Sequence, residues 1–194
     1  SEVVKVHEET VRGATTLDPC SSNGMVGKWF LGGDAMMKEA VSKSCEQSYY
    51  ADPKKQRTEW VLDWPGMVVL ASDQIFWTRE TEEALIAGGL KGLKGYEEKC
   101  TQQLDDVVML VRRPDLSKLQ RTTLGAMVTL DVHGRDVLTL MVEAGTEQTN
   151  DFNWVSQLRY YYDPALEQDG LLIKIITATA KYGWEYLGNS FRLV

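Results

Sequence analysis

Between Leu93 and Met141 the apolar residues recur at steps of three and four, and the run is broken once, at Arg112-Arg113-Pro114. Before the break the positions are Leu93, Tyr96, Cys100, Leu104, Val107 and Val111. After it they are Leu116, Leu119, Thr123, Met127, Leu130, Val137 and Met141, with a notch at Gly134. A period near 3.6 places each set on one face of a helix, and a stripe of that length is stable only when buried. Pro114 cannot continue a helix and biases the residue before it away from helical backbone, so the chain turns there, with Asp115 as the expected cap of the next helix. Two amphipathic helices joined by so short a break pack antiparallel. The core of this chain is therefore helical, and the rest must be arranged around that pair.

Upstream, Val26, Phe30, Met37, Val41 and Cys45 fall near helical spacing, flanked by Trp29, Met36 and Ala40. Gly32 and Gly33 each weaken a helix by about 1 kcal/mol relative to Ala, so this element bends or begins only at Asp34. Asp52-Pro53 closes it. A second helix carries Trp60 and Trp64, Pro65-Gly66 interrupts it, and a restart runs through Met67, Leu70, Ala71 and Ile75. Pattern alone leaves a buried strand over Met67 to Leu70 open. Gly88, Gly89, Gly92 and Gly95 loosen the chain ahead of the long stripe, and with Gly134 they are candidate flexing points. Downstream, Asn150-Asp151 is placed to cap a helix through Phe152, Val155, Leu158 and Arg159 that Asp163-Pro164 stops. The alternating LLIKIITATA, followed across a turn by Tyr182 to Leu187, reads as a hairpin. Val3, Val4 and Val6 form a strand that is a candidate third member of it, and TTLDPCSSNG reads as a loop.

With 194 residues, 43% hydrophobic and 25% charged, the chain has ordinary globular composition. A net charge of −7 gives no electrostatic reason to expect nucleic acid or anionic membrane as a partner. The basic group Lys54, Lys55 and Arg57 reads as a solvated loop rather than a binding patch. Three scattered cysteines, Cys20, Cys45 and Cys100, do not make a disulfide framework or a zinc site, which implies a reducing compartment. No apolar run approaches a membrane span, and the expectation is a soluble cytoplasmic chain. It begins without Met and stops at Leu193-Val194, as though cut from a longer polypeptide.

Catalytic constellations are not found. A phosphate-binding GxxxxGK[ST] loop is missing; the nearest mimic, GKWFLGG at Gly27 to Gly33, lacks the Lys and hydroxyl that must follow. His133 in DVHGRD could pair with Asp131 or Asp136 as a general base, but no Ser or Cys accompanies it, and a structural role at the Gly134 notch is the preferred reading. Arg135 and Asp136 could hold a neighbouring element by a charged pair. The six tryptophans read as core or interface anchors. In RYYYD, taken as helical, at least one tyrosine should face another module. No catalytic residue and no metal ligand is assigned.

Long strings in this chain nevertheless resemble a known family. DFNWVSQLRYYYD and KYGWEYLGNSFRLV, with WVLDWPGMVVLASDQIFWTRETEEAL, CTQQLDDVVMLVR and TTLGAMVTLDVHGRDVLTLMV upstream, are similar to the part of dynein heavy chains where the mechanical linker ends and the first AAA+ module begins. Tyr162 stands where the family has Trp, Trp184 replaces a Tyr, Phe191 replaces a Pro, and DPALEQDG is an insertion. These departures, with SSNG and GGD, resemble an axonemal rather than a transport heavy chain.

The resemblance implies a mainly α fold, an elongated helical-bundle linker subdomain with a small antiparallel β element formed by the C-terminal hairpin, the N-terminal strand being a candidate member. Residues 1–181 would be the C-terminal portion of the linker and 182–194 the start of the first AAA+ module. The implied function is that of a non-catalytic lever, passing ATP-driven changes of the AAA+ ring into force along microtubules. Leu193 and Val194 would edge the adenine pocket, with ATP or ADP and Mg belonging to the full motor and no cofactor to this segment. Implied partners are the ring of the same heavy chain, microtubules and other dynein subunits, and the implied location is the cytoskeleton of a cilium or flagellar axoneme. The competing reading is a free-standing helical adaptor that binds a protein groove through exposed aromatics.

Overall fold

A computed structural model of the chain describes residues 2–4, 15–17, 26–51 and 56–185. Helices dominate: α1 (Val26–Ala51), α2 (Arg57–Asp63), α3 (Gly66–Val111), α4 (Lys118–Glu143) and the single turn α5 (Phe152–Val155). The strands are β1 (Glu2–Val4), β2 (Thr15–Leu17), β3 (Arg159–Tyr162), β4 (Leu171–Ile175) and β5 (Ala178–Lys181). The mainly helical expectation holds, and Met67 to Leu70 is helix, not strand.

The 46 residues of α3 do not form a straight rod. Lys99 Nζ lies 2.6 Å from Glu80 Oε2, 19 residues away in sequence; in a straight helix those positions would be about 28 Å apart. The chain doubles back at Gly89, whose φ of 52° and ψ of −134° are open to glycine and strained for other residues. Nearby, a Cβ on Gly92 would sit 2.1 Å from the Ala84 carbonyl oxygen. Two of the glycines expected to loosen the chain are thus what lets two helical arms, 66–88 and 90–111, lie side by side.

α4 completes a three-helix bundle. A Cβ on Gly66 would meet Thr123 at 2.6 Å and one on Gly134 would meet Trp77 at 2.8 Å; the spacing, 11 residues, is the same on both helices, so α4 runs parallel to the first arm. Against the second arm it is antiparallel, as the stripes require: Thr139 Oγ1 donates to Glu97 Oε1, while at the other end Arg121 donates to the carbonyls of Val111 and Arg113. Those arginine contacts satisfy acceptors at the end of the second arm. The cap of α4 is Ser117, whose side chain and that of Gln120 form a reciprocal capping box. Asp115, the expected cap, is instead paired with Arg113. At its far end Gly145, at φ 71°, closes α4 with two bonds, Thr146 N to Met141 O and Gly145 N to Val142 O, a glycine-terminated C-cap that satisfies the last carbonyls.

α1 lies on the first arm, joined by the buried hydroxyls of Ser48 and Ser72, 2.6 Å apart, and by Tyr49 stacked on Phe76. It runs unbroken through Gly32 and Gly33, where a bend or start was expected; Phe30 and Leu31 are exposed, whereas Val41 and Cys45 are buried.

The sheet departs most from expectation. β3, β4 and β5 form an antiparallel meander whose two-residue turn is Ile176-Thr177, so the hairpin closes within LLIKIITATA; of the expected second strand over Tyr182 to Leu187, residues 182–185 are not strand and 186–187 lie outside the described residues. The third strand of the meander is RYYY at Arg159–Tyr162, not the end of a helix as the spacing suggests; α5 stops at Val155. β1 pairs with β2 in a separate ladder, Glu2 opposite Leu17, so the N-terminal strand does not join the hairpin, and Thr15–Leu17 is strand where a loop was expected.

Candidate functional site

The bundle is held at its centre by one charge. Arg57, the first residue of α2, reaches all three bundle helices: its Nη2 donates to Asp73 Oδ1 and Asp131 Oδ1, each at 2.6 Å, and its Nη1 donates to Asp131 Oδ2 at 3.0 Å and to the Gln103 carbonyl at 3.5 Å. Asp73 belongs to the first arm, Gln103 to the second and Asp131 to α4. Gln103 and Asp131 fall between the residues that two apolar clusters take from their helices, one around Phe76, Val107 and Met127, the other around Leu93, Leu138 and Trp154. The side chains of Arg57, Asp73 and Asp131 are 17%, 10% and 11% exposed, so the charges meet largely out of water. There the geometry must be complete, because losing one partner strands the others.

Two carboxylates share this one guanidinium. Burial raises the Asp131 carboxyl, the charge of Asp73 raises it further, and Arg57 only partly offsets both, leaving it at about 6. Burial works against the charge on Arg57, but the two carboxylates outweigh it and hold the guanidinium above its ordinary value. A cavity of about 200 Å³ adjoins the cluster, lined also by Glu80, Tyr96, Lys99, Cys100 and Arg135. Burial pushes the Cys100 thiol up to about 11, so it is not a thiolate nucleophile near neutral pH.

A second constellation fixes the sheet to the bundle. Glu82 Oε1 accepts from the Trp154 indole at 3.1 Å and from the Tyr161 hydroxyl at 2.5 Å. Four residues before Glu82, Thr78 Oγ1 accepts from the Tyr160 backbone N–H at 2.9 Å. Positions 78 and 82 are one turn apart on the first arm, so a single helix face grips both β3 and α5. Tyr160 and Tyr162 pack on the apolar cluster around Val41, Ile75 and Trp184. Tyr161 alternates to the other face. All three tyrosines therefore have partners in this chain, and on a strand their alternation does not require any of them to face another module.

His133 is exposed; Asp131 is bound to Arg57, and Asp136 to the adjacent Arg135, which therefore do not clamp a neighbouring element. The notch at Gly134 exists because the Trp77 indole lies against it, and α4 runs through it without a break. Trp60, Trp154 and Trp184 are buried and Trp64 and Trp77 partly so; the side chain of Trp29 is outside the described residues. Arg57, expected in a solvated loop, is the centre of the bundle, while Lys54 and Lys55 lie outside the described residues. Leu193 and Val194, the expected edge of an adenine pocket, also lie outside them. Among the described residues no group of three or more His, Cys, Asp or Glu side chains is gathered for a metal, and no helix is long and apolar enough to cross a membrane.

Sequence reasoning missed Arg57, yet a signal existed. Counting by fours from Thr123 through Met127 arrives at Asp131, not Leu130, and a carboxylate on a buried seam requires a partner.

No family model matches the chain. It is 44% identical over 186 residues, 96% of its length, to mouse dynein axonemal heavy chain 12. It is 42% identical over 174 residues, 90% of its length, to human dynein axonemal heavy chain 1. To mouse dynein axonemal heavy chain 3 it is 39% identical over 192 residues, 99% of its length. The chain spans only 4–6% of the length of these relatives.

Proposed function

Because the chain is homologous to a segment of axonemal dynein heavy chains along nearly its whole length, we propose that it is the C-terminal part of the linker of such a heavy chain. Residues 1–181 are the linker portion and 182–194 the lead-in to the first AAA+ module. In this reading the segment is a lever without catalysis of its own. ATP and Mg are handled by the ring, against which Leu193 and Val194 form an edge of the adenine pocket, and the assembled motor works on microtubules of the axoneme with other dynein subunits.

The observation that carries the reading is the pair of long strings DFNWVSQLRYYYD and KYGWEYLGNSFRLV within a match to heavy chains that is nearly end to end. The architecture is suited to the role. A lever must be stiff within itself, and close-packed interiors transmit strain rather than absorb it. Here three helices with continuous seams are crossed by one buried ion cluster, and the sheet is bonded to the same arm. A nucleotide state can move such a body only through contacts whose free energy differs between its two positions.

The test uses the heavy chain that carries this segment. Replacing Arg57 with Ala should slow microtubule gliding far more than it slows ATP hydrolysis, because a softened lever uncouples the ring from its track. Gliding and hydrolysis both unchanged, in a variant shown to have lost bundle stability, would contradict the lever role. The isolated chain should hydrolyse no ATP above a mock preparation, and robust turnover would refute the non-catalytic reading.

A further inference from the structure

The charge balance at the centre of the bundle is uneven. The Oδ1 atoms of Asp73 and Asp131 each lie 2.6 Å from the same Arg57 nitrogen, so two like charges are forced close together with one counter-charge between them. The groups that face this site are, from the first arm, Asp73 and Glu80; from the second arm, Tyr96, Lys99 and Cys100; and from α4, Arg135. Lys99 is taken by Glu80 at 2.6 Å and Arg135 by Asp136 at 2.6 Å. Neither cation is therefore committed to the second carboxylate, and the cluster keeps one negative charge in excess.

We propose that the Arg57–Asp73–Asp131 site is a proton-operated clamp, in which uptake of one proton from solvent by the Asp131 carboxylate relieves its repulsion with Asp73 and so favours the assembled arrangement of α2, α3 and α4. The proton converts the carboxylate to a carboxylic acid and leaves one guanidinium facing one carboxylate, a neutral pair in a site that is expensive to charge. Both Asp131 oxygens accept from Arg57, so the proton weakens one of those two bonds; the other keeps α2 joined to α4 while the repulsion from Asp73 is removed.

The sign is opposite to ordinary acid denaturation. Folded Asp131 holds its proton to higher pH than the unfolded chain does, so its contribution is a cost above about pH 6 that is relieved as pH falls, until the unfolded chain takes the same proton near pH 4. Most paired carboxylates do the reverse.

Urea unfolding of the whole 194-residue chain, against the Asp131→Asn variant, reads this directly. Between about pH 7.5 and pH 5 the folding equilibrium constant of the wild type should gain about tenfold on that of the variant, the gain expected for one carboxyl whose folded pKa lies about two units above its unfolded value. Curves that stay parallel over that range would overturn the clamp. Should Asp131→Asn fail to fold, the carboxyl carbon shift of Asp131 in isotopically labelled wild type decides instead. A midpoint near pH 6 supports the proposal, and a midpoint in the usual aspartate range near pH 4 sinks it. Asp73→Asn supplies an independent check: it must move that midpoint downward, and an unmoved midpoint would overturn the proposal by showing that repulsion from Asp73 does not act on Asp131.

Discussion

The three-helix bundle and the small sheet are held by different kinds of interaction. In the bundle, long apolar seams do the holding, and a single buried arginine crosses them. Leu93, Val107, Met127 and Leu138 are fully buried there. In the sheet every residue of β5 is exposed, and attachment combines a small apolar contact, Leu171, Tyr160 and Tyr162 on Val41 and Ile75, with hydrogen bonds to two side chains of the first arm, Thr78 and Glu82. Seams distribute stability over many side chains. A small apolar contact and a few hydrogen bonds concentrate it, so the sheet should come loose from the bundle before the bundle itself melts.

The sharpest way to break this contrast is to interrupt a seam. Val107→Pro or Met127→Pro removes a helical hydrogen bond at a fully buried position, a loss of more than about 3 kcal/mol; circular dichroism should report collapse of the whole chain, and an unchanged melting curve would deny the bundle. Arg57→Ala comes next, at about 3–5 kcal/mol, because it leaves two carboxylates without their counter-charge. Urea unfolding measures it, and Arg57→Ala with Asp131→Asn should recover part of the loss. Glu82→Gln should cost about 1–2 kcal/mol, confined to the sheet. Hydrogen exchange would then quicken in β3 and β4 while α4 keeps its protection; uniform quickening would mean that sheet and bundle are one cooperative unit. The smallest effect is a gain. Ile176 sits at φ 51° in the two-residue turn, a conformation disfavoured for a β-branched side chain. Ile176→Gly should stabilise the hairpin by less than about 1 kcal/mol, visible as a small rise in melting temperature.

The same contrast explains what could be read from the sequence. Helical stripes repeat, so Leu93 to Val111 and Leu116 to Met141 announced two helices and their antiparallel packing. The strands of the three-stranded sheet are four or five residues long, and RYYY carries aromatic residues that a helix end can also accommodate, so its pairing with Leu171–Ile175 rested on contacts 82 and 79 residues away in sequence, to Thr78 and Glu82. Glycine was legible as a departure from helix but not in kind. Gly89 reverses the chain, Gly134 admits an indole, and Gly32-Gly33 interrupt nothing: one residue type with three outcomes, of which its weak helix propensity speaks only to interruption. Arg57 was hidden for a related reason. A basic residue after two lysines looks solvated until Asp73 and Asp131 are seen to converge on it from 16 and 74 residues away.

The lever account requires this segment to move as one body. Spin labels at the exposed Thr101 on the second arm and Thr179 on β5, placed in the parent heavy chain and measured by electron double resonance with and without ATP, test that directly. The account predicts one narrow distance distribution, unchanged between the two states. A distribution that shifts or splits with nucleotide would place the bending inside this segment and contradict it.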